Sequence, residues 1–375
     1  MKILIALNHP AHYYLFKFVY KELQKQGHEV RFVIKEKDLL EKILIQEGVI
    51  FTKLIPSRKR GQGFFSIISR LGIEMVKQDF SLLRFLKSFR PDVMLGTDIA
   101  ISHVGSLMKI PAIIFNEDDI EINKLFCFFT YPFATQIITP EVCNVGRFKN
   151  KQIKYNGYQK LAYLHPNCFL PDISIVQKYF STDKPYFIIR LVSFTAGHDI
   201  EHKHGGISKE LIRELIFILE QKGEVYITSE EKLPFEFEKY QLVIDPTDIH
   251  HLLFFSNLFI GDSQSMIVEA AVLGVPSIRF NSFAGKISVL NELEIRYNLT
   301  TGIKNDNPKL LLETVKKLIH TENIREVYQG RRKKMLNDKI DVSAFMIWIV
   351  ENYPGSAKVM KENLEWQSLI PKSMK

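Results

Sequence analysis

The sequence has few cysteines and no long run of apolar residues. Its three cysteines, Cys127, Cys143 and Cys168, show no close spacing in 375 residues. This pattern excludes a disulfide framework and a zinc ribbon, and it fits a reducing cytoplasm. Because no apolar run reaches about 18 residues, a membrane-spanning helix is not expected. The apolar residues at 1–7 are too few for a signal peptide and lack a cleavage site, so they are predicted to form a strand.

Length and composition indicate a globular protein with two domains. Hydrophobic residues make up 46% of the chain, which is normal for a protein with true hydrophobic cores. A chain of 375 residues exceeds the usual size of one domain. No Gly-x-Gly-x-x-Gly follows the first apolar run, so a dinucleotide is not expected there.

The net charge of +8 is concentrated in one segment. Residues 58–90 hold eight basic side chains, two acidic side chains and many aromatic or aliphatic ones. A basic, aromatic-rich amphipathic segment can lie on an anionic membrane surface. The alternative is one or two ordinary domain helices with solvated basic faces. Nucleic acid is not expected as a partner, because no recognition motif accompanies the charge.

Strand and helix patterns alternate along the chain and restart once. Strands are predicted in the first half at 3–7, 29–34, 49–54, 92–95 and 111–115. The second half repeats the pattern, with strands predicted at 185–190, 224–228, 258–260 and 277–280. This alternation predicts an α/β protein of two doubly wound domains. The predicted boundaries are 1–165 and 166–345, followed by a C-terminal helix or tail at 346–375.

The most informative stretch lies near residue 262. An apolar run enters Gly261, which allows a turn, and Ser263 and Ser265 are residues that cap a helix start. A helix start offers unpaired N–H groups and a positive dipole end, so it can hold a phosphate. Glu269 follows one turn into the helix, where a carboxylate can accept hydrogen bonds from a ribose diol. The stretch therefore predicts a nucleotide site that also includes Gln264.

This stretch resembles the nucleotide-binding segment of GT-B fold enzymes, which include many sugar-nucleotide glycosyltransferases and the non-hydrolysing UDP-N-acetylglucosamine 2-epimerases. The resemblance rests on Asp262-Ser263-Gln264-Ser265, Glu269-Ala270 and Leu273-Gly274-Val275-Pro276. The epimerases carry two glycines where this chain has Gln264 and Ser265. The resemblance implies two Rossmann-like domains facing each other across a cleft that holds the active site.

Three first-domain residues are candidates for catalysis. His12 follows the first predicted strand, in a loop that resembles Asn-x-Pro-x-His in a poorly characterised bacterial group of GT-B-like proteins. It is predicted either to act as a base or to belong to a helix-capping loop. Asp98 and Glu117 follow two later strands, and they resemble the catalytic carboxylates of the epimerases. The alternative for both acids is a capping role at helix starts.

The loop after the first strand of the second domain contains two further candidates. Arg190 can pair with a diphosphate in a bidentate manner, and His198 lies in a flexible, substrate-facing loop. The histidines after Gly197 do not match a zinc motif, so no metal is expected. The His-Arg-Arg-Glu-Asn signature of the epimerases is absent here. Farther back, Gly157 is predicted to be a hinge or a point of close approach.

The sequence thus predicts a cytoplasmic, metal-independent GT-B glycosyltransferase for surface polysaccharide or glycoconjugate assembly. Its donor is expected to be a UDP-sugar, with no permanently bound cofactor and with a sugar or a lipid-linked acceptor. Peripheral contact with the inner face of the cell membrane would involve residues 58–90. The alternatives are a UDP-N-acetylglucosamine 2-epimerase-like enzyme and a catalytically silent GT-B scaffold protein.

Overall fold

The structure, a computed structural model, describes residues 1–35, 38–55, 64–192, 206–229 and 231–370, and at 38 and 64–71 it describes the backbone only. The chain divides into two compact units. Unit 1 comprises residues 1–163 and 340–375, and unit 2 comprises residues 164–339.

Unit 1 contains, within the described residues, a parallel sheet of seven strands in the order β3-β2-β1-β4-β5-β6-β7. Its strands are β1 Lys2–Leu7, β2 Glu29–Lys35, β3 Phe51–Ile55, β4 Val93–Gly96, β5 Ala112–Phe115, β6 Gln136–Pro140 and β7 Gln152–Tyr155. The helices between them are α1 Pro10–Lys25, α2 Asp38–Gln46, α3 Phe64–Ser88, α4 Ile99–Met108 and α5 Lys124–Thr130. The central strands are buried on both faces, as their continuous apolar sequences predict.

Unit 2 contains, in its described part, a parallel sheet of five strands in the order β12-β11-β10-β8-β9. Its strands are β8 Tyr186–Leu191, β9 Glu224–Ser229, β10 Leu258–Gly261, β11 Ser277–Phe280 and β12 Thr301–Ile303. After α6 Leu161–Leu164, which spans the division between the units, its helices are α7 Ile173–Val176, α8 Lys209–Leu219, α9 Ile249–Phe255, α10 Gln264–Val272, α11 Ser288–Asn291, α12 Pro308–Ile319 and α13 Ile324–Asp338. The α/β class and the doubly wound architecture predicted from the sequence are confirmed.

The C-terminal segment corrects the predicted boundaries. Residues 340–375 were assigned in part to the second domain and in part to a separate tail, yet they belong to unit 1. The reason is α14, Val342–Glu351, an almost wholly apolar helix that packs against α1. Gly157, just after β7, allows α14 to begin close to this loop, because a Cβ there would lie 2.6 Å from Cγ2 of Val342. A last helix, α15 Gly355–Glu362, follows on the same unit.

Three strands and one helix start differ from the sequence-based expectation. The strands β6, β7 and β12 have three to five residues each and pair with β5, β6 and β11, but the sequence patterns did not indicate them. The residues around His12 were predicted to form a loop, but α1 already begins at Pro10. Proline fits the first helical position, and His9 caps the helix by accepting a bond from the N–H of Ala11.

The basic segment of residues 58–90 is helical from Phe64 to Ser88, whereas Arg58, Lys59 and Arg60 lie outside the described residues. The helix α3 buries Leu82 and Leu86 against the sheet. Among the described helices, none is both long and apolar enough to span a membrane.

Candidate active site

Each sheet has one point where the strand order reverses direction. In unit 1 the reversal lies between β1 and β4, and in unit 2 it lies between β8 and β10. Ligands of doubly wound proteins bind beyond the carboxyl ends of the strands at such points. The predicted residues can therefore be examined as two groups, one at each reversal.

The reversal in unit 1 is bridged by a buried carboxylate. Asp98, only 1% exposed, caps α4 by accepting a bond from the N–H of Ile101 at 3.1 Å. Its Oδ2 accepts bonds from Asn8 Nδ2 at 2.5 Å and from Gln78 Nε2 at 2.7 Å. Burial raises the pKa of Asp98 above its ordinary value, and these donors only partly oppose the rise. Gln78, for which no sequence pattern signalled a role, reaches Asp98 from α3.

His12 is the more accessible candidate in this group. It is half-buried in the first turn of α1, and its Nδ1 accepts a bond from the N–H of Asn8 at 3.3 Å. When Nδ1 accepts, the ring proton of a neutral imidazole resides on Nε2. In this tautomer Nε2 of His12 can donate a hydrogen bond to a substrate oxygen. Nε2 can accept a proton only after its own proton has moved to Nδ1.

Glu117 follows β5, next to the strand that leads to Asp98, but it has a different environment. Its Oε1 lies 2.6 Å from Nζ of Lys160, and its Oε2 accepts a bond from the N–H of Gln159 at 3.1 Å. The side chain of Lys160 is only 6% exposed. The sequence singled out the stretch that contains Lys160 only for a hinge or close approach at Gly157, and it did not indicate an ion pair with Glu117, 43 residues earlier.

Close packing defines the reversal in unit 2. Gly261 ends β10 opposite Arg190 of β8, and a Cβ at Gly261 would lie 2.9 Å from the backbone oxygen of Arg190. The glycine is therefore required by close strand approach, as well as by the turn predicted for it. Arg190 donates from Nη1 to Oγ1 of Thr228 at 3.2 Å. Asp262, just after β10, accepts a hydrogen bond from the N–H of Val192, just after β8, at 2.8 Å. This bond ties the ends of the two strands together.

The helix α10 begins directly after this turn. Ser263 is its N-cap and accepts a bond from the N–H of Met266 at 3.5 Å, whereas Ser265 is already inside the first turn. The residues Ser263, Gln264 and Ser265 are all half-buried. The first turn of a helix has N–H groups without partners inside the helix, so this turn can receive an anion.

Glu269 lies deeper in α10, on its buried side. It is 6% exposed, and its Oε1 lies 3.6 Å from Nε2 of His250, which is 5% exposed. His250 belongs to α9, which packs against α10. The sequence predicted Glu269 but not its neighbour, because His250 lies 19 residues earlier in an apolar helix with no motif.

His198 lies outside the described residues, as do the neighbouring histidines. Within the part of the chain that is described, no group of three or more His, Cys, Asp or Glu side chains could hold a metal ion.

Comparison with known proteins identifies the family and the fold. Residues 1–353 match the family described as "Protein of unknown function (DUF354)". No curated protein matches the sequence.

Solved structures with the same fold include UDP-GlcNAc 2-epimerases and a protein named MurG. The S. aureus MnaA-UDP co-structure has a TM-score of 0.65 at 12% identity, covering 95% of this chain and 97% of that one. A UDP-GlcNAc 2-epimerase from Methanocaldococcus jannaschii has a TM-score of 0.61 at 15% identity, covering 89% and 99%. The MurG of Acinetobacter baumannii has a TM-score of 0.56 at 14% identity, covering 94% and 99%. The chain therefore has the GT-B fold, as the sequence predicted.

Proposed function

The chain belongs to the DUF354 family and has a GT-B fold, and we propose that it is a nucleotide-sugar-dependent glycosyltransferase. The observation that carries this proposal is the half-buried start of α10, which follows the close-packed Gly261 and precedes the buried Glu269. We assign it to surface polysaccharide or glycoconjugate assembly in the cytoplasm, with a UDP-sugar as donor and a sugar or lipid-linked acceptor.

Unit 2 binds the nucleotide in this proposal. The diphosphate lies at the first turn of α10, near Ser263, Gln264 and Ser265, and Arg190 and His198 add positive charge or donors. The helix dipole and these donors stabilise the leaving diphosphate without a metal ion. Glu269 accepts hydrogen bonds from the ribose hydroxyls, and His250 lies beside its carboxylate.

Unit 1 binds the acceptor and supplies the proton acceptor, which is His12 or Asp98. The two candidates have different environments. The half-buried His12 is accessible to a hydroxyl, whereas Asp98 is held by three donors at the strand reversal. The raised pKa of Asp98 brings its proton affinity closer to that of a useful general base.

A second candidate, a UDP-N-acetylglucosamine 2-epimerase-like activity, is favoured by one observation. Asp98 and Glu117 follow the adjacent strands β4 and β5, and two carboxylates in different environments suit proton removal and return. The ion pair of Glu117 with buried Lys160 argues against this candidate. The Glu117 carboxylate must separate from the Lys160 ammonium before it can take up a proton.

One set of incubations separates these functions. The protein is mixed with UDP-N-acetylglucosamine, with and without a lipid-linked or free sugar acceptor, and the products are followed by NMR. UDP release that depends on acceptor supports transfer, and an epimer formed without acceptor supports the second candidate. If no member of a nucleotide-sugar panel raises the thermal unfolding midpoint, both are contradicted and a scaffold role is favoured.

A further inference from the structure

Three neighbouring helices of unit 1 form one layer over the sheet. The helix α3 packs against α4, and α4 packs against α5. Their inward side chains, among them Leu86, Val104 and Cys127, share a core cluster with strand residues. The outward side of the layer is therefore a single helical surface, which we call the α3–α5 face.

The α3–α5 face carries an unusual amount of exposed apolar surface. Seven large apolar side chains of these helices and the turn after α5 are between 45% and 71% exposed: Ile73, Val76, Phe80, Leu107, Leu125, Phe128 and Phe133. Single exposed apolar residues are ordinary, but a group on neighbouring helices marks an interaction surface. On α3 the spacing of three and four residues places Ile73, Val76 and Phe80 on one stripe.

A half-buried network of polar contacts links the three helices beneath this face. Nδ1 of His103 lies 2.9 Å from Oδ2 of Asp79, and its Nε2 lies 2.7 Å from the carbonyl oxygen of Phe129. The ring of Phe133 packs edge-on against His103, with centroids 4.8 Å apart. Phe80 and Phe128 are sequence neighbours of two network members, and Leu107 lies one turn after His103. The network therefore fixes α3, α4 and α5 relative to one another.

On these three helices, the exposed charged side chains without an ion-pair partner are all basic. Basic side chains are exposed on all three helices or their ends: Lys77, Arg84, Lys87, Lys109 and Lys124. None of them forms a salt bridge with another described residue. The acidic side chains of α3 are already paired, Glu74 with Lys35 at 2.8 Å and Asp79 with His103. The face thus combines apolar side chains with uncompensated positive charge.

We propose that the α3–α5 face docks on an anionic lipid bilayer, inserting its apolar side chains among the headgroups. Opposite charge favours this partner, whereas a symmetric pair of chains would bring the same basic residues face to face. The inference rests on the proposed function in one respect: docking brings the acceptor-binding unit to a lipid-linked acceptor. The face extends beyond the basic segment singled out in the sequence, because Leu107, Leu125, Phe128 and Phe133 belong to α4, α5 and the turn after α5.

Vesicle co-sedimentation of the full chain tests the proposal. We expect binding to phosphatidylcholine vesicles that contain phosphatidylglycerol, little binding to phosphatidylcholine alone, and loss of binding as salt is raised. The variant Lys77→Ser/Arg84→Ser/Lys87→Ser should weaken binding by about 100-fold, from about fivefold for each basic side chain. The variant Phe80→Ser/Leu107→Ser/Phe128→Ser should also weaken binding at low salt, where the wild type binds, because its side chains no longer insert among the headgroups.

Matched variants on exposed positions of unit 2 serve as controls. They are Lys309→Ser/Lys316→Ser/Lys317→Ser for charge and Phe217→Ser/Phe235→Ser for apolar surface, and both should bind like the wild type. Equal loss in the controls would reduce the effect to overall net charge and overturn the proposal. It is also overturned if the wild type ignores anionic vesicles at low salt, or if the apolar variant only converts a dimer into monomers. UDP titration of the same variants keeps this test separate from the proposed function.

Discussion

The two strand reversals of this chain share a topology but differ in what closes them. In unit 1 the space beyond β1 and β4 is bridged by a carboxylate with three hydrogen-bond donors. In unit 2 the ends of β8 and β10 approach closely because Gly261 has no side chain. The half-buried start of α10 follows directly. The same arrangement can thus hold a proton-binding group in place or leave backbone donors available to an anion.

The first prediction separates these two roles by turnover. Replacing the true proton acceptor, by His12→Ala or Asp98→Asn, should lower turnover by about 10²–10⁴-fold. UDP affinity should stay unchanged, because the nucleotide is assigned to unit 2. Steady-state rates and UDP calorimetry on both variants check this. If both variants retain full turnover, the proton acceptor lies elsewhere or the protein is not a catalyst.

The second prediction concerns the ion pair beside the reversal of unit 1. Lys160→Met should lower the free energy of unfolding by about 3–5 kcal/mol, since it leaves Glu117 with no cation beside it. Glu117→Gln added to the same chain should recover part of this loss. Denaturant titrations of the single and double variants measure both effects. Equal stability of Lys160→Met and the wild type would show that the pair contributes nothing.

The third prediction probes the narrow packing in unit 2. Gly261→Ala should lower the free energy of unfolding by about 1–3 kcal/mol, because its Cβ would press on Arg190. The control is Gly330→Ala in α13, where nothing lies within 4 Å of the added Cβ. That variant should be at least as stable as the wild type, since alanine favours a helix. If Gly261→Ala also unfolds like the wild type, close strand approach does not explain the glycine.

The fourth and smallest prediction is a pH dependence of stability. The pKa of Asp98 is raised in the folded chain, so its protonated form contributes stability that is fully present below the unfolded pKa of about 3.9. That contribution is lost as pH rises through the folded pKa, by about 1.4 kcal/mol for each tenfold change in proton affinity. As pH rises over this range, the free energy of unfolding of the wild type should therefore fall relative to that of Asp98→Asn. A constant difference between the two proteins would contradict the raised pKa.

Much of the fold follows from local sequence patterns, and much of the site does not. The buried strands, the start of α10 and the capping residues Ser263 and Asp98 are signalled by adjacent residues. Contacts made across long stretches of chain are not signalled. Lys160 meets Glu117, Gln78 meets Asp98, and His250 lies by Glu269, each through tertiary packing alone. The short strands β7 and β12 were missed for the same reason, because pairing with a neighbour creates them.

The most direct test of the central claim is calorimetric titration of UDP into the wild type, Glu269→Ala and the control Glu313→Ala, whose glutamate is exposed on α12. Losing two charge-assisted hydrogen bonds to the ribose should cost Glu269→Ala about 2–4 kcal/mol of binding free energy with the fold intact. Glu313→Ala should bind UDP like the wild type. Unchanged UDP affinity of Glu269→Ala, or no binding by the wild type, would contradict a nucleotide site at α10.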